Sequence, residues 1–205
     1  MIKIENTEVV GWGAAIRGMR NPMNSWDKSD STIALNFAVA IGNNDLDLMK
    51  RLRNAGTDHR KYLRMITVYL DITAPLYWWK EFDTYKVGTV ANSCSTMHKI
   101  HAKEFTRDDF SYERLDPWAL EILDNVIWGI NAAREQYEKC KAKSDWWQMI
   151  QLLPTSYNQK RTVMLNYEVL ANMYRSRKTH KLDEWHEFCR WIESLPYSEL
   201  ITGDC

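Results

Sequence analysis

Polar and apolar residues alternate along Lys3 to Val10, the pattern of an edge or half-buried strand, and Gly11 to Gly13 then turn the chain into a short helix ending near Met19. The stretch from Arg20 to Thr32, with Asn21-Pro22 and several small polar residues, reads as a loop. Nearly every position from Ile33 to Ile41 is apolar, which predicts a buried helix, and Asp45 to Asn54 predicts another, stopped by Gly56. Met65 to Ile72, MITVYLDI, is rich in β-branched and aromatic residues and is the clearest strand of the chain. Pro75 then opens a helix, PLYWWKEFD, at the position where proline is tolerated, and the polar loop TYKVGTVANSCSTMHK follows. The pattern further predicts a long helix from Pro117 to Lys143, a shorter one from Trp146 to Leu152 closed by Pro154, and a strand from Gln159 to Leu165. That strand feeds a helix to Lys178, and a last helix runs from Leu182 to Leu195. Strands interleaved with helices in this way predict an α+β fold.

Composition narrows the reading. A chain of 205 residues with 45% hydrophobic content can bury one sizeable core, and no linker rich in proline, glycine or serine divides it, so residues 1–205 are expected to form a single domain. Lysine plus arginine total 27, as do aspartate plus glutamate, so the net charge of zero provides no whole-protein attraction for a nucleic-acid polymer or an anionic membrane. Small phosphorylated ligands need only a local cluster of donors. No apolar run approaches the roughly 20 residues of a membrane span, and MIKIENTEVV lacks the apolar core of a secretory signal, which predicts a cytoplasmic protein. The four cysteines, Cys94, Cys140, Cys189 and Cys205, form no CxxC pair and read as reduced thiols. His98 and His101 stand three apart with no third ligand near them, so no metal site is expected. The ten tryptophans, including the doublets Trp78-Trp79 and Trp146-Trp147, are expected in the core or at subunit contacts.

The richest stretch lies between Leu152 and Arg177, LLPTSYNQKRTVMLNYEVLANMYRSR, where a polar strand runs into a helix holding Asn166, Asn172 and Arg177 along an otherwise apolar course. At 100° per residue, eleven positions bring Arg177 back to within about 20° of Asn166, with Leu170 and Met173 on the same stripe. If that face is buried, the guanidinium must find acceptors within the protein or on a ligand. Two plainer roles fit the same residues: Asn166 as the helix N-cap, and Arg177 as a last-turn cation complementing the helix dipole.

The order of elements, together with Leu153-Pro154, the interval to Asn166 and the spacing Asn-x5-Asn-x4-Arg, resembles the flavin-dependent thymidylate synthases over about Gly56 to Leu195. The resemblance implies a small, mostly antiparallel sheet flanked by long helices, and sites built where four copies of the chain meet, hence a homotetramer. It also implies that Asn166 and Asn172 lie near a flavin and that Arg177 faces the uracil ring of a nucleotide. Counting nine from Pro75 sets Thr84, Tyr85 and Lys86 at the family's Arg-His-Arg triplet, Cys94 at its serine and Thr96 at its phosphate-holding arginine. Glu81 stands at the glutamine that contacts the nucleotide, and Ile150 where an arginine precedes the Leu-Pro. By resemblance Tyr85 and Lys86 fall on the cofactor side and Glu81, Cys94 and Thr96, with Ser95 between the last two, on the nucleotide side. Each change weakens a phosphate clamp, because neither lysine nor threonine reproduces the bidentate arginine fork.

Other residues offer replacements. Ser93, Cys94, Ser95 and Thr96 form a run of small polar groups that suits either an anion-binding loop or an ordinary turn. Basic residues gather at Arg60, Lys61 and Arg64 and again at Arg175, Arg177, Lys178 and His180; Arg60 and Lys61 read as solvated surface. Family chemistry, if retained, implies FAD with NADPH and methylenetetrahydrofolate acting on deoxyuridine monophosphate (dUMP). Three readings stay open: a divergent synthase, a noncatalytic nucleotide-binding or sequestering protein, and a fold kept for assembly.

Overall fold

The computed structural model describes residues 2–34 and 39–203. Its first part contains strand β1 (Lys3–Val10), helix α1 (Trp12–Arg20), the short strands β2 (Thr32–Ile33) and β3 (Val39–Ala40), and helix α2 (Asn43–Asn54). A 3-10 turn at Arg60–Met65 leads into β4 (Thr67–Pro75) and α3 (Leu76–Phe82), then β5 (Val90–Ser93) and α4 (Thr96–Lys99). The remainder is mainly helical: α5 (Pro117–Cys140), α6 (Lys143–Leu152), β6 (Asn158–Asn166), α7 (Tyr167–Arg177), α8 (Asp183–Glu193) and α9 (Glu199–Thr202). One four-stranded sheet has the order β1-β4-β6-β5, and β2 pairs antiparallel with β3 through Thr32–Ala40 and Ile33–Val39. The fold is α+β with a small antiparallel sheet.

Local patterns account for most elements. In β4 the side chains of Val68, Leu70, Ile72 and Ala74 are buried on alternate positions, as a period of two requires. In α8 the buried residues Trp185, Phe188, Cys189 and Ile192 follow the helical spacing of three and four. The apolar run Ile33–Ile41 departs from its predicted helix: Ile33 belongs to β2, and Val39 and Ala40 belong to β3, while its middle, residues 35–38, lies outside the described residues. A short apolar run carries no period, and cross-strand pairing wins at both ends. Pro75 caps α3 instead of opening it, with extended φ −68° and ψ 151°. The long helix stops at Cys140 because Lys141 adopts φ 52°, and the 84–99 loop contains β5 and α4.

The chain divides into two compact units. Among the described residues the first contains 2–3, Ile72–Thr84 and Asn92–Arg161. Its core gathers Ile100, Phe105, Phe110, Leu123, Ile127, Ile130 and Met149. Trp78, Trp79 and Phe82 are buried in the same unit, and the Trp79 indole N–H donates to the Gln159 carbonyl at 2.9 Å. Burial of rings this size stabilises by roughly 2–3 kcal/mol each.

The second unit contains residues 4–34, 39–71, 85–91 and 162–203. Trp12 stands edge-on to both Tyr167 and Tyr197 with centroids 5.3 Å apart, and the Tyr167 hydroxyl donates to the Pro196 carbonyl at 2.6 Å. Arg20 and Asp45 form a buried ion pair at 2.6 Å, and Ser29 and Ser31 hydroxyls donate to the same carboxylate. Burial works to raise the Asp45 pKa, but the bonds from Ser31, Ser29 and Arg20 outweigh it and hold the group below its ordinary value. Cys189 is buried, and desolvation, helped by the charge of Glu193, pushes its thiol up to about 11. Among the described residues no helix is long and apolar enough to cross a membrane.

Candidate functional site

The junction of β6 and α7 builds the candidate site. Asn166 closes the strand in extended conformation, φ −135° and ψ 165°, and its side-chain oxygen accepts from the Val169 N–H at 3.0 Å. It is therefore an N-cap, and its amide NH2 remains for other partners. Gly88 comes so close that an added Cβ would lie 2.8 Å from that nitrogen and 3.0 Å from a Val169 methyl carbon; with φ +76° the position suits glycine alone.

In the first turn of α7 lies Glu168, 6% exposed. The 3-10 turn Arg60–Met65 brings two arginines to this carboxylate: Arg60 Nε donates to Oε1 at 3.3 Å, and Arg64 pairs with both oxygens. Arg60 also reaches the Asn172 side-chain oxygen at 3.5 Å, where Arg175 donates at 2.9 Å. Hydrogen bonding from Arg64 to Glu168, and then their charge attraction, raise the Arg64 pKa, so this cation persists at any working pH. Arg60 and Arg64 thus share the one Glu168 carboxylate, and Asp58 adds a further attraction on Arg64. Arg64, Val87, Gly88, Asn166, Glu168, Val169 and Asn172 line a cavity of about 310 Å³. An N-cap amide, a second amide six residues on and an exposed guanidinium suit the polar edge and the anionic group of a small ligand.

Arg60 is thus not solvated surface: it is 8% exposed and paired with Glu168, whereas Lys61 is exposed as expected. Asn166 and Asn172 share the cavity. Arg177 does not line it. Arg177 does extend the Leu170–Met173 stripe and is only partly exposed, its Nε donating to the Tyr85 hydroxyl at 2.9 Å and its guanidinium lying 4.8 Å from the Trp185 ring centroid. The angular count from Asn166 fails because Asn166 is extended and not helical. Within α7 the five residues from Asn172 to Arg177 separate them by about 140°. Tyr85 therefore holds Arg177, and Lys86 is exposed.

The remaining sequence-selected residues belong to the first unit. Glu81 is half-buried near the end of α3, where its carbonyl accepts from the Thr84 hydroxyl at 2.8 Å. Cys94 is exposed, its N–H donates to the Lys160 carbonyl and its carbonyl accepts from Gln159, both at 2.9 Å. Ser95 caps α4, its hydroxyl oxygen accepting from the His98 N–H at 3.1 Å, and Thr96 is the first residue of that helix. This run is a sheet edge and a helix cap, so the Cys94 N–H is not offered to an anion. His98 lies on α4, which ends before His101, and no group of three metal-ligating side chains occurs among the described residues.

Sequence reasoning missed Glu168 and Gly88. The signal for Glu168 was present: an acid set between Tyr167 and Leu170 on a buried helical face requires a cation, and Arg60 and Arg64 are spaced one turn apart. For Gly88 no signal preceded the structure.

No protein-family model matches the chain, nor does any curated protein. Solved structures match it along nearly its whole length. Thymidylate Synthase X (ThyX) from Helicobacter pylori with FAD and dUMP has a TM-score of 0.71 and 15% identity, covering 98% of this chain and 97% of that one. A second structure of flavin-dependent ThyX from Helicobacter pylori, also complexed with FAD and dUMP, has a TM-score of 0.70 at 15% identity, with 98% and 97% covered. A UMP/dUMP methylase, PolB from Streptomyces cacaoi bound with 5-Br dUMP, has a TM-score of 0.62 at 13% identity, with 98% and 95% covered. The chain has the fold of the flavin-dependent thymidylate synthases, and the resemblance read from Leu153-Pro154 and the two asparagines is borne out at that level.

Proposed function

We propose that this chain is a nucleotide-binding protein on a thymidylate synthase X-like fold, taking a pyrimidine mononucleotide such as dUMP in the cavity at the start of α7. The observation that carries this reading is the shared lining of Asn166, Asn172 and the exposed Arg64 guanidinium around about 310 Å³. That volume is at the small end of ligand sites, which run from roughly 300 to 1,000 Å³. It suits a mononucleotide and is small for a whole dinucleotide.

The residues at the family's triplet do not fit the diphosphate of FAD. The Thr84 hydroxyl is committed to the Glu81 carbonyl, Tyr85 is committed to Arg177, and Lys86 alone carries charge. Binding without flavin-dependent turnover is therefore the primary reading, and capture of a nucleotide is its outcome. The second reading, a flavin-dependent methylase of dUMP using NADPH and methylenetetrahydrofolate, is favoured by the 98% coverage against a structure holding FAD and dUMP. A cytoplasmic homotetramer is the assembly that goes with either.

Thermal denaturation with added dUMP, deoxyuridine or FAD separates the readings, because a ligand at 100 times its Kd stabilises by about 2.7 kcal/mol. The primary reading expects colourless protein whose melting temperature rises with dUMP and not with deoxyuridine. Yellow protein with bound flavin would move the conclusion to the second reading. No response to any nucleotide would overturn both.

A further inference from the structure

The second unit holds another cavity, of about 910 Å³, among α1 and the turn after it, α2 and the 3-10 turn Arg60–Met65. Met19, Pro22, Met23, Leu48, Leu52 and Met65 furnish its apolar wall. Met23 is 82% exposed and Met65 48%, so flexible thioether side chains stand in water around a concavity. Such side chains adapt readily to an apolar guest. Two of the polar groups nearest the wall already have partners: the Tyr62 hydroxyl donates to the Met49 carbonyl at 2.8 Å, and the Asn21 side-chain oxygen accepts from the Trp26 indole at 2.9 Å. The interior therefore offers little to the polar edge of a base.

Charge is confined to the rim, where Asp58, His59, Lys61 and Arg64 line the opening. Arg64 is paired with Glu168, whereas Lys61 is exposed and makes no ion pair among the described residues. An apolar chamber with an exposed ammonium at its mouth, not engaged in an ion pair with the neighbouring Asp58, complements one kind of molecule. We infer that this cavity binds an amphiphilic anion, its unbranched hydrocarbon body lying against the methionines and leucines and its single anionic head beside Lys61. The site is separate from the nucleotide cavity except that Arg64 borders both, and it does not depend on the nucleotide reading.

Fluorescence titration of the full chain with 1-anilinonaphthalene-8-sulfonate, followed by displacement with decanoate and with decanol, tests this inference. One saturable site is expected, with decanoate displacing the dye at lower concentration than decanol. Lys61→Glu weakens decanoate about tenfold, the scale of turning a partly shielded attraction into a repulsion, and leaves decanol unchanged. Met23→Asp weakens both competitors without moving the melting temperature, since Met23 makes its contacts at the surface. Absence of a saturable site overturns the inference, as does equal displacement by the two competitors that Lys61→Glu leaves unaltered. A dye site that opens only on dilution, as light scattering reports dissociation of copies, also overturns it, because a second copy then covers the cavity.

Discussion

The start of α7 and the turn around Cys94 both carry closely spaced polar residues on either side of a strand end, yet they become different objects. At α7, Glu168 draws Arg60 from 108 positions away into burial, and Asn172 is fixed by two arginines. Around Cys94 the polar groups bond to β6 and to the first turn of α4, and all of Ser93, Cys94 and Ser95 stay exposed. A buried charge organises its surroundings because leaving it unpaired is costly, whereas hydroxyls and amides satisfied by nearby backbone impose nothing further. The buried polar cluster therefore forms around the carboxylate and not around Cys94.

The most severe way to break this contrast is Glu168→Ala. It leaves the Arg60 guanidinium buried without its carboxylate, and the expected loss of stability is about 3 kcal/mol, read by chemical denaturation. A loss comparable to a surface substitution would mean that Arg60 is paid for by other partners. Arg177→Ala comes next: it removes the bond to Tyr85 and the cation–π contact with Trp185, for about 1–2 kcal/mol in the same assay. Since Arg177 lies outside the cavity lining, the rise in melting temperature with dUMP is expected to survive this substitution. Asn166→Asp sharpens the comparison further, because aspartate keeps the N-cap and replaces the amide donor by an oxygen. Ligand-free stability should change by less than about 0.5 kcal/mol while dUMP affinity falls. Smallest of all is Cys94→Ala, expected to stay within about 0.5 kcal/mol and to leave nucleotide binding unchanged.

How much of this was legible in the sequence depended on whether local pattern or distant partners decided the outcome. β4 and β6 were readable from period-two alternation, and α8 from its helical spacing, since each buries one face against the core. Asn166 was readable as a cap because it ends an alternating run before a helix. The segment Ile33–Ile41 was not, because its ends are stabilised by pairing with each other and no periodicity records that. Arg60 looked like surface because its partner lies far along the chain, and Arg177 was aligned with Asn166 only by treating a strand residue as helical. The tryptophans divided: Trp12, Trp78, Trp79 and Trp185 are buried, while Trp118 and Trp128 on α5 are exposed.

The central claim, that a nucleotide is held at the start of α7 by a cation shared with Glu168, is tested most directly by titration calorimetry of dUMP with the unaltered chain and with Arg64→Ala. The Arg64 side chain is 58% exposed, so its removal should cost the fold little. The account predicts a Kd weakened about tenfold or more, with ligand-free melting nearly unchanged. Equal affinity in the two proteins would contradict it.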